Sequence, residues 1–213
     1  MDSAHLSIGM KIISWIIGLF SFYLFSNLPR TEKKLQLEKL TSQLINFILF
    51  IWVGKVILNF SIFIKNPLVI LAYPSNSSAF YFAFFLTVIT VVYKSKRERA
   101  DILGLFGAFI YVFLISSFAY EFIQIVWNDN RYSLAYFILL AVLSLIYIFM
   151  QNRVRTDQLA RIMLIGWSAG ALGLSFSMPL MMVFGYTMHA WFLVLMLFSS
   201  ITAFIFRKRK KVI

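Results

Sequence analysis

Residues 30–63 read RTEKKLQLEKLTSQLINFILFIWVGKVILNFSIF, a polar and basic connector that passes at Leu44 into a long apolar run. An apolar segment of about 20 residues spans the hydrocarbon core of a bilayer as a helix, because only internal hydrogen bonding satisfies the backbone there. The same alternation repeats along the chain. Arg30 to Lys39, Lys94 to Arg99, Arg153 to Arg161 and Arg207 to Lys211 together hold 16 of the 20 Lys and Arg residues. The intervening gaps hold only Lys65 and Arg131, with Lys11 just before the first apolar run and Lys55 inside the second. Loops that stay in the cytoplasm are enriched in Lys and Arg. The pattern therefore predicts an all-α integral membrane protein of seven transmembrane helices, with the N-terminus outside and the C-terminus cytoplasmic.

The expected spans are about 12–28, 44–63, 79–93, 102–127, 133–150, 162–179 and 188–206, in one domain covering 1–213. Pro29-Arg30 and Lys33-Lys34 follow the first span without a small-residue cleavage site, so that span is expected to be retained. Residues 31–43 predict a short amphipathic helix with Leu35, Leu37 and Leu40 at the interface. The loop 64–78 carries Pro67, Pro74 and the turn-forming Ser75-Asn76-Ser77-Ser78, and its apolar Leu68 to Ala72 predicts a segment lying against or dipping into the membrane.

Composition narrows the class further. A hydrophobic fraction of 61% with 13% charged residues exceeds what a water-soluble core uses. The net charge of +12 sits in short clusters beside apolar runs, where orientation and anionic headgroups account for it and nucleic acid does not. Cysteine is absent, and His5 and His189 are the two histidines, so neither a thiol nucleophile nor a His- or Cys-built metal centre is expected. No phosphate-loop, dinucleotide or hydrolase signature occurs, and no cofactor is expected.

Ionisable groups inside spans are expensive, which singles out Lys55 and Glu121. Lys55 lies about 18 Å of helical rise beyond Gln43, and Glu121 about 28 Å beyond Ile102, so both fall in the outer half. Asn59, one turn beyond Lys55, and Gln124, three residues beyond Glu121, extend these faces. Lys55, Asn59, Gln124 and Arg131 are the candidate lipid or phosphate contacts; Glu121 and His189 are the candidate catalytic groups. Snorkelling of Lys55 and a headgroup-level position for Glu121 are the plainer alternatives. Gly166, Gly170 and Gly173 give span six a small face that a second helix can approach closely.

The order of parts resembles the bacterial prolipoprotein diacylglyceryl transferases. Leu37-Glu38-Lys39-Leu40 leading into Leu44 to Leu58 is similar to that family's inner connector and second helix, with Val53-Gly54-Lys55-Val56 in place of a Gly-x-Arg-Leu-like element. Asn66-Pro67-Leu68-Val69-Ile70-Leu71 is similar to its Pro-x-x-Ile segment, and Arg131-Tyr132, the Gly-rich span six and the basic tail follow in the same order. The resemblance implies a bacterial-type plasma membrane protein that takes phospholipid at the outer face, with anionic phospholipid and a lipoprotein or membrane protein as partners. If the chain is an enzyme, it implies a membrane transferase of glyceryl or acyl type acting on phospholipid.

The chain departs from that pattern where the family's reactive groups stand. Ser75 to Phe82 has neither the His nor the glycines of the family's His-Gly-Gly segment, and Ser116 to Gln124 keeps Glu121 without Arg, Gly or Asn. Lys55 replaces an arginine fork by a point charge. These departures imply degenerate or altered transfer chemistry. A non-enzymatic membrane subunit that packs on a partner through span six, and a small carrier or channel that uses Lys55, are the alternative readings.

Overall fold

The computed structural model describes residues 3–72, 76–98, 101–128 and 133–209. Along the chain lie α1 (Ser3–Phe25), α2 (Arg30–Leu58), α3 (Phe60–Lys65), α4 (Val69–Ala72), α5 (Ser77–Glu98), α6 (Ile102–Asn128), α7 (Ser133–Met150) and α8 (Thr156–Ser177). The strands β1 (Met182–Val183) and β2 (Tyr186–Thr187) follow, then α9 (Ala190–Arg209). Among the described residues, Leu6–Phe25, Arg30–Leu58, Ser77–Arg97, Ile102–Asn128, Ser133–Met150 and Thr156–Ser177 are helices long and apolar enough to cross a membrane. The apolar part of α9, Ala190–Ile205, is shorter.

Two expectations change. The first helix starts at Ser3 and not at residue 12, so Lys11 lies inside the span and not in front of it. The connector 31–43 is not a separate helix: α2 runs unbroken for 29 residues. Its polar half is rich in Glu, Lys, Leu and Gln, which favour helix, and no Gly or Pro interrupts it before Gly54. The change from polar to apolar side chains alters which solvent surrounds the helix without altering its backbone.

The chain packs as two compact units, one of Met1–Leu37 with Phe106–Ile213 and one of Glu38–Leu105. In the second unit, Gly54 of α2 faces the backbone of Ala79 and the ring of Phe82 on α5; a Cβ there would stand 3.1 Å from Phe82 and 3.4 Å from Ala79. Ala79 and Ala83, one turn apart, are fully buried. Asn76 caps α5 by accepting the Ala79 N–H at 2.9 Å. Asp101 caps α6 in the same way, accepting the N–H groups of Leu103 and Gly104 at 3.1 Å each.

In the first unit α8 packs on both α7 and α9. The Gly-rich face of α8 is used inside this unit. A Cβ at Gly166 would meet Leu143 at 3.0 Å, and one at Gly170 would meet Leu139 at 2.5 Å, whereas Gly173 faces open space. Where α8 begins, the buried Arg161 guanidinium donates to the Asp157 carboxylate at 2.7 Å and to its carbonyl at 2.8 Å. Lys33 donates to the Tyr23 carbonyl at 3.0 Å and so caps the C-terminal end of α1.

Candidate functional site

The most heavily buried of the long apolar helices is α6, and its inward residues set the site. Tyr111, Val112, Leu114, Ser116, Ser117, Ala119, Tyr120 and Glu121 are buried. Small residues let α1 come close: a Cβ at Gly18 would lie 2.8 Å from the Val112 carbonyl. Ser21 and Tyr111 join the same two helices by a hydroxyl–hydroxyl hydrogen bond of 2.9 Å.

Between α8 and α9 the chain makes a hairpin that the sequence pattern does not announce. Met182 pairs with Thr187 and Val183 with Tyr186, antiparallel, and the Met188 N–H donates to the Met181 carbonyl at 2.7 Å. Its two turn residues, Phe184 (φ 50°) and Gly185 (φ 76°), both have positive φ. A two-residue hairpin of this hand matches the twist of its strands, but Asn or Asp normally stands where Phe184 does. A bulky residue at positive φ is strained, and the surroundings must hold it there.

They do so with aromatic rings. Phe184 stacks on Trp15 of α1 at 5.2 Å, meets Tyr120 of α6 at 5.4 Å and Phe113 at 6.2 Å. Phe113 in turn meets Trp167 of α8 edge-on at 5.1 Å. Phe113 stands near the middle of α6. The turn thus reaches deep among helices of spanning length, where non-helical backbone is tolerated only when protein or water surrounds it. Met181, Val183 and Phe184 are all buried.

Polar groups gather around this hairpin. Tyr120 accepts a hydrogen bond from Gln124 at 2.8 Å. Gln124 also touches the Met10 sulfur at 3.7 Å and accepts from Asn128 at 2.6 Å. Lys11 holds its ammonium 4.5 Å over the ring of Tyr186. Glu121, 4% exposed, lies near Ser133 at the start of α7. The Tyr136 hydroxyl accepts from the Trp167 indole at 2.9 Å. Glu121 is about 10 Å of helical rise short of Asn128, so it is enclosed by protein well inside the helix.

The expected site residues are spread over both units. Gln124 lies beside the hairpin, engaged with Tyr120, Met10 and Asn128, and Glu121 is buried on the same helix. Lys55 is buried on α2 in the second unit. Asn59 does not extend the Lys55 helix face: α2 stops at Leu58, and the Asn59 amide donates to the Lys55 carbonyl at 2.9 Å, closing the helix end. His189 is exposed at the start of α9, where its carbonyl accepts from the Phe192 N–H at 3.0 Å. Arg131 lies outside the described residues. Lys11, Tyr120, Ser133, Tyr136 and the hairpin were not singled out by sequence. For Lys11 the signal was present, since Leu6, Ile8 and Met10 continue the apolar run on its N-terminal side.

A groove of about 530 Å³ opens along α1 and α6, lined by Ile17, Phe20, Leu24, Phe118, Ala119 and Phe122 with Ser21 as its hydroxyl. Such a volume falls in the range of small-molecule sites. The helices and their apolar lengths define the class: this is a multi-pass helical membrane protein. Comparison with protein-family models, curated proteins and solved structures finds no match.

Proposed function

We propose that the chain binds phospholipid of the outer leaflet of a bacterial-type plasma membrane, as a diacylglyceryl transferase-like protein whose transfer chemistry is altered. The observation that carries this reading is Glu121. It is a buried carboxylate on a spanning helix. An acid at such depth costs about 3 kcal/mol on insertion scales, which marks it as functional by default. Its role is to accept the proton of an incoming nucleophile. The apolar groove on α1 and α6 supplies a wall for an acyl chain. With seven spans and the N-terminus outside, the reading that the basic clusters support, Glu121 would fall on the outer side.

The test is retention of lipid in the detergent-purified chain, read by mass spectrometry, together with complementation of a strain depleted of its own transferase. Phospholipid is expected to co-purify with the wild type, to fall with Ala119→Trp, which fills the groove, and to persist in Glu121→Gln. Complementation is expected to fail. A diacylglyceryl-modified reporter cysteine, lost on Glu121→Gln, would show unaltered transfer chemistry; absence of any retained lipid would remove the reading.

A further inference from the structure

We infer that Arg30 and Arg153, with Lys34 beside them, form a docking site for the headgroup of an anionic phospholipid at the end of the molecule where α1 and α7 finish. The inference goes beyond the reading built on Glu121, because this end is remote from that acid. Gly107 of α6 meets Thr156 of α8 here, and Glu121 lies about 21 Å of helical rise further along α6. Two connections are tied together at this end: the Asn27 amide, after α1, donates to the Asn152 side-chain carbonyl, after α7. Arg30 follows Asn27 by three residues and Arg153 follows Asn152 by one. At most about 11 Å and 4 Å of chain therefore separate the two arginines from the tie. The Met150 carbonyl accepts from the Arg153 and Val154 N–H groups at 3.0 Å each, which fixes the backbone that carries Arg153.

Residues 27–36 and 152–161 carry Arg30, Lys33, Lys34, Arg153, Arg155 and Arg161 against Glu32 and Asp157. Three of these cations are engaged: Lys33 by the Tyr23 carbonyl, and Arg155 and Arg161 by Asp157 at 3.3 and 2.7 Å. Arg30, Lys34 and Arg153 are exposed, and no carboxylate of a described residue pairs with them. Apolar side chains continue almost to these charges. Leu24 and Phe25 on α1 are 51% and 64% exposed, and Ile148 and Phe149 on α7 are 46% and 74% exposed. Phe25 stands five residues before Arg30 and Phe149 four before Arg153, so acyl chains against these side chains set the arginines at headgroup depth. That depth favours a lipid over an acidic protein, which would have to reach through the headgroup layer. Guanidinium forks take phosphate oxygens in pairs. Each basic residue at an anionic surface is worth about fivefold in affinity.

The experiment places the full chain in phosphatidylcholine nanodiscs that carry a phosphatidylglycerol with a photoreactive headgroup, and maps the cross-linked peptides by mass spectrometry. Cross-links are expected on the peptides that hold Arg30 and Arg153. Arg30→Gln with Arg153→Gln should lower them about twenty-five-fold, two factors of five. Asn27→Leu keeps every charge but cuts the tie, and should lower them part of the way. Lys94→Gln with Lys96→Gln removes as much charge from the exposed end of α5 and should leave them unchanged. An equal fall in that control would show attraction by net charge and overturn the site. So would wild-type cross-links that avoid both peptides, a result that needs no variant to fold. Arginine-dependent binding of polyglutamate in detergent, without preference for phosphatidylglycerol over phosphatidylcholine, would overturn the lipid in favour of an acidic protein. Ala119→Trp should leave these cross-links intact, so failure of the groove reading and failure of this one are seen separately.

Discussion

The Phe184 ring lies on the Trp15 indole at 5.2 Å with their planes 20° apart, which ties the turn of the hairpin to the first helix. That stack holds Phe184 at φ 50°, a backbone angle worth roughly 1–3 kcal/mol of strain for a residue with a large side chain. The hairpin and α1 consequently depend on one another.

Removing the ring should release the hairpin. Phe184→Ala is expected to cost about 3 kcal/mol, the usual loss for a buried aromatic. Gly185→Ala should cost about 1 kcal/mol or more, because alanine disfavours φ 76° and its Cβ would sit 3.1 Å from the Tyr120 hydroxyl. Thermal unfolding in detergent checks both. Unchanged melting of Gly185→Ala would contradict the turn geometry.

The glycines of α8 separate cleanly. Gly170→Leu drives a side chain into Leu139 and should destabilise by about 1–3 kcal/mol. Gly173→Ala, with nothing within 4 Å, should be neutral or slightly stabilising through helix propensity. If Gly170→Leu folds normally and instead loses a bound partner, the small face serves association and not internal packing.

Asp157 and Arg161 form a buried pair at 2.7 Å. Breaking it from one side, with Asp157→Leu, leaves a buried guanidinium and should cost about 3–5 kcal/mol. Asp157→Leu with Arg161→Met should recover most of that loss, since both charges go together. A double variant as unstable as the single one would show that the pair's other contacts dominate.

Orientation is open to direct measurement. Reporter fusions at Asn76 and Asn130 should report outside, and a fusion at the C-terminus should report cytoplasm, following the placement of the basic clusters. An active alkaline phosphatase at the C-terminus would reverse the proposed topology and move Glu121 to the inner side.

Helix existence was legible residue by residue, because in lipid each apolar segment must close its own hydrogen bonds locally. The expected span 133–150 and the observed Ser133–Met150 coincide, and Ile102–Asn128 differs from expectation by one residue. Helix ends in polar surroundings were less legible. The apolar criterion started the first span at Ile12 and the second at Leu44, whereas the backbone helices begin at Ser3 and Arg30. Hydropathy records where lipid starts, and a helix continues through that boundary wherever its residues permit. The same error left Lys11 outside the span and hid its place beside the hairpin.

Sequence by itself determined that this chain is a helical membrane protein, and it singled out Glu121 as an acid within an apolar run, whereas its burial was decided by the fold. Charge and hydropathy are properties of single residues facing a solvent, so they can be read along the chain. Tertiary structure alone decided the hairpin, since Phe184-Gly185 is a poor turn signal and its conformation is held by Trp15, Phe113 and Tyr120 from distant helices. It also decided that Asn59 closes a helix end, and that Gly166 and Gly170 are filled by Leu143 and Leu139. Those outcomes depend on which side chains meet across the fold, and no local property of the chain specifies that meeting.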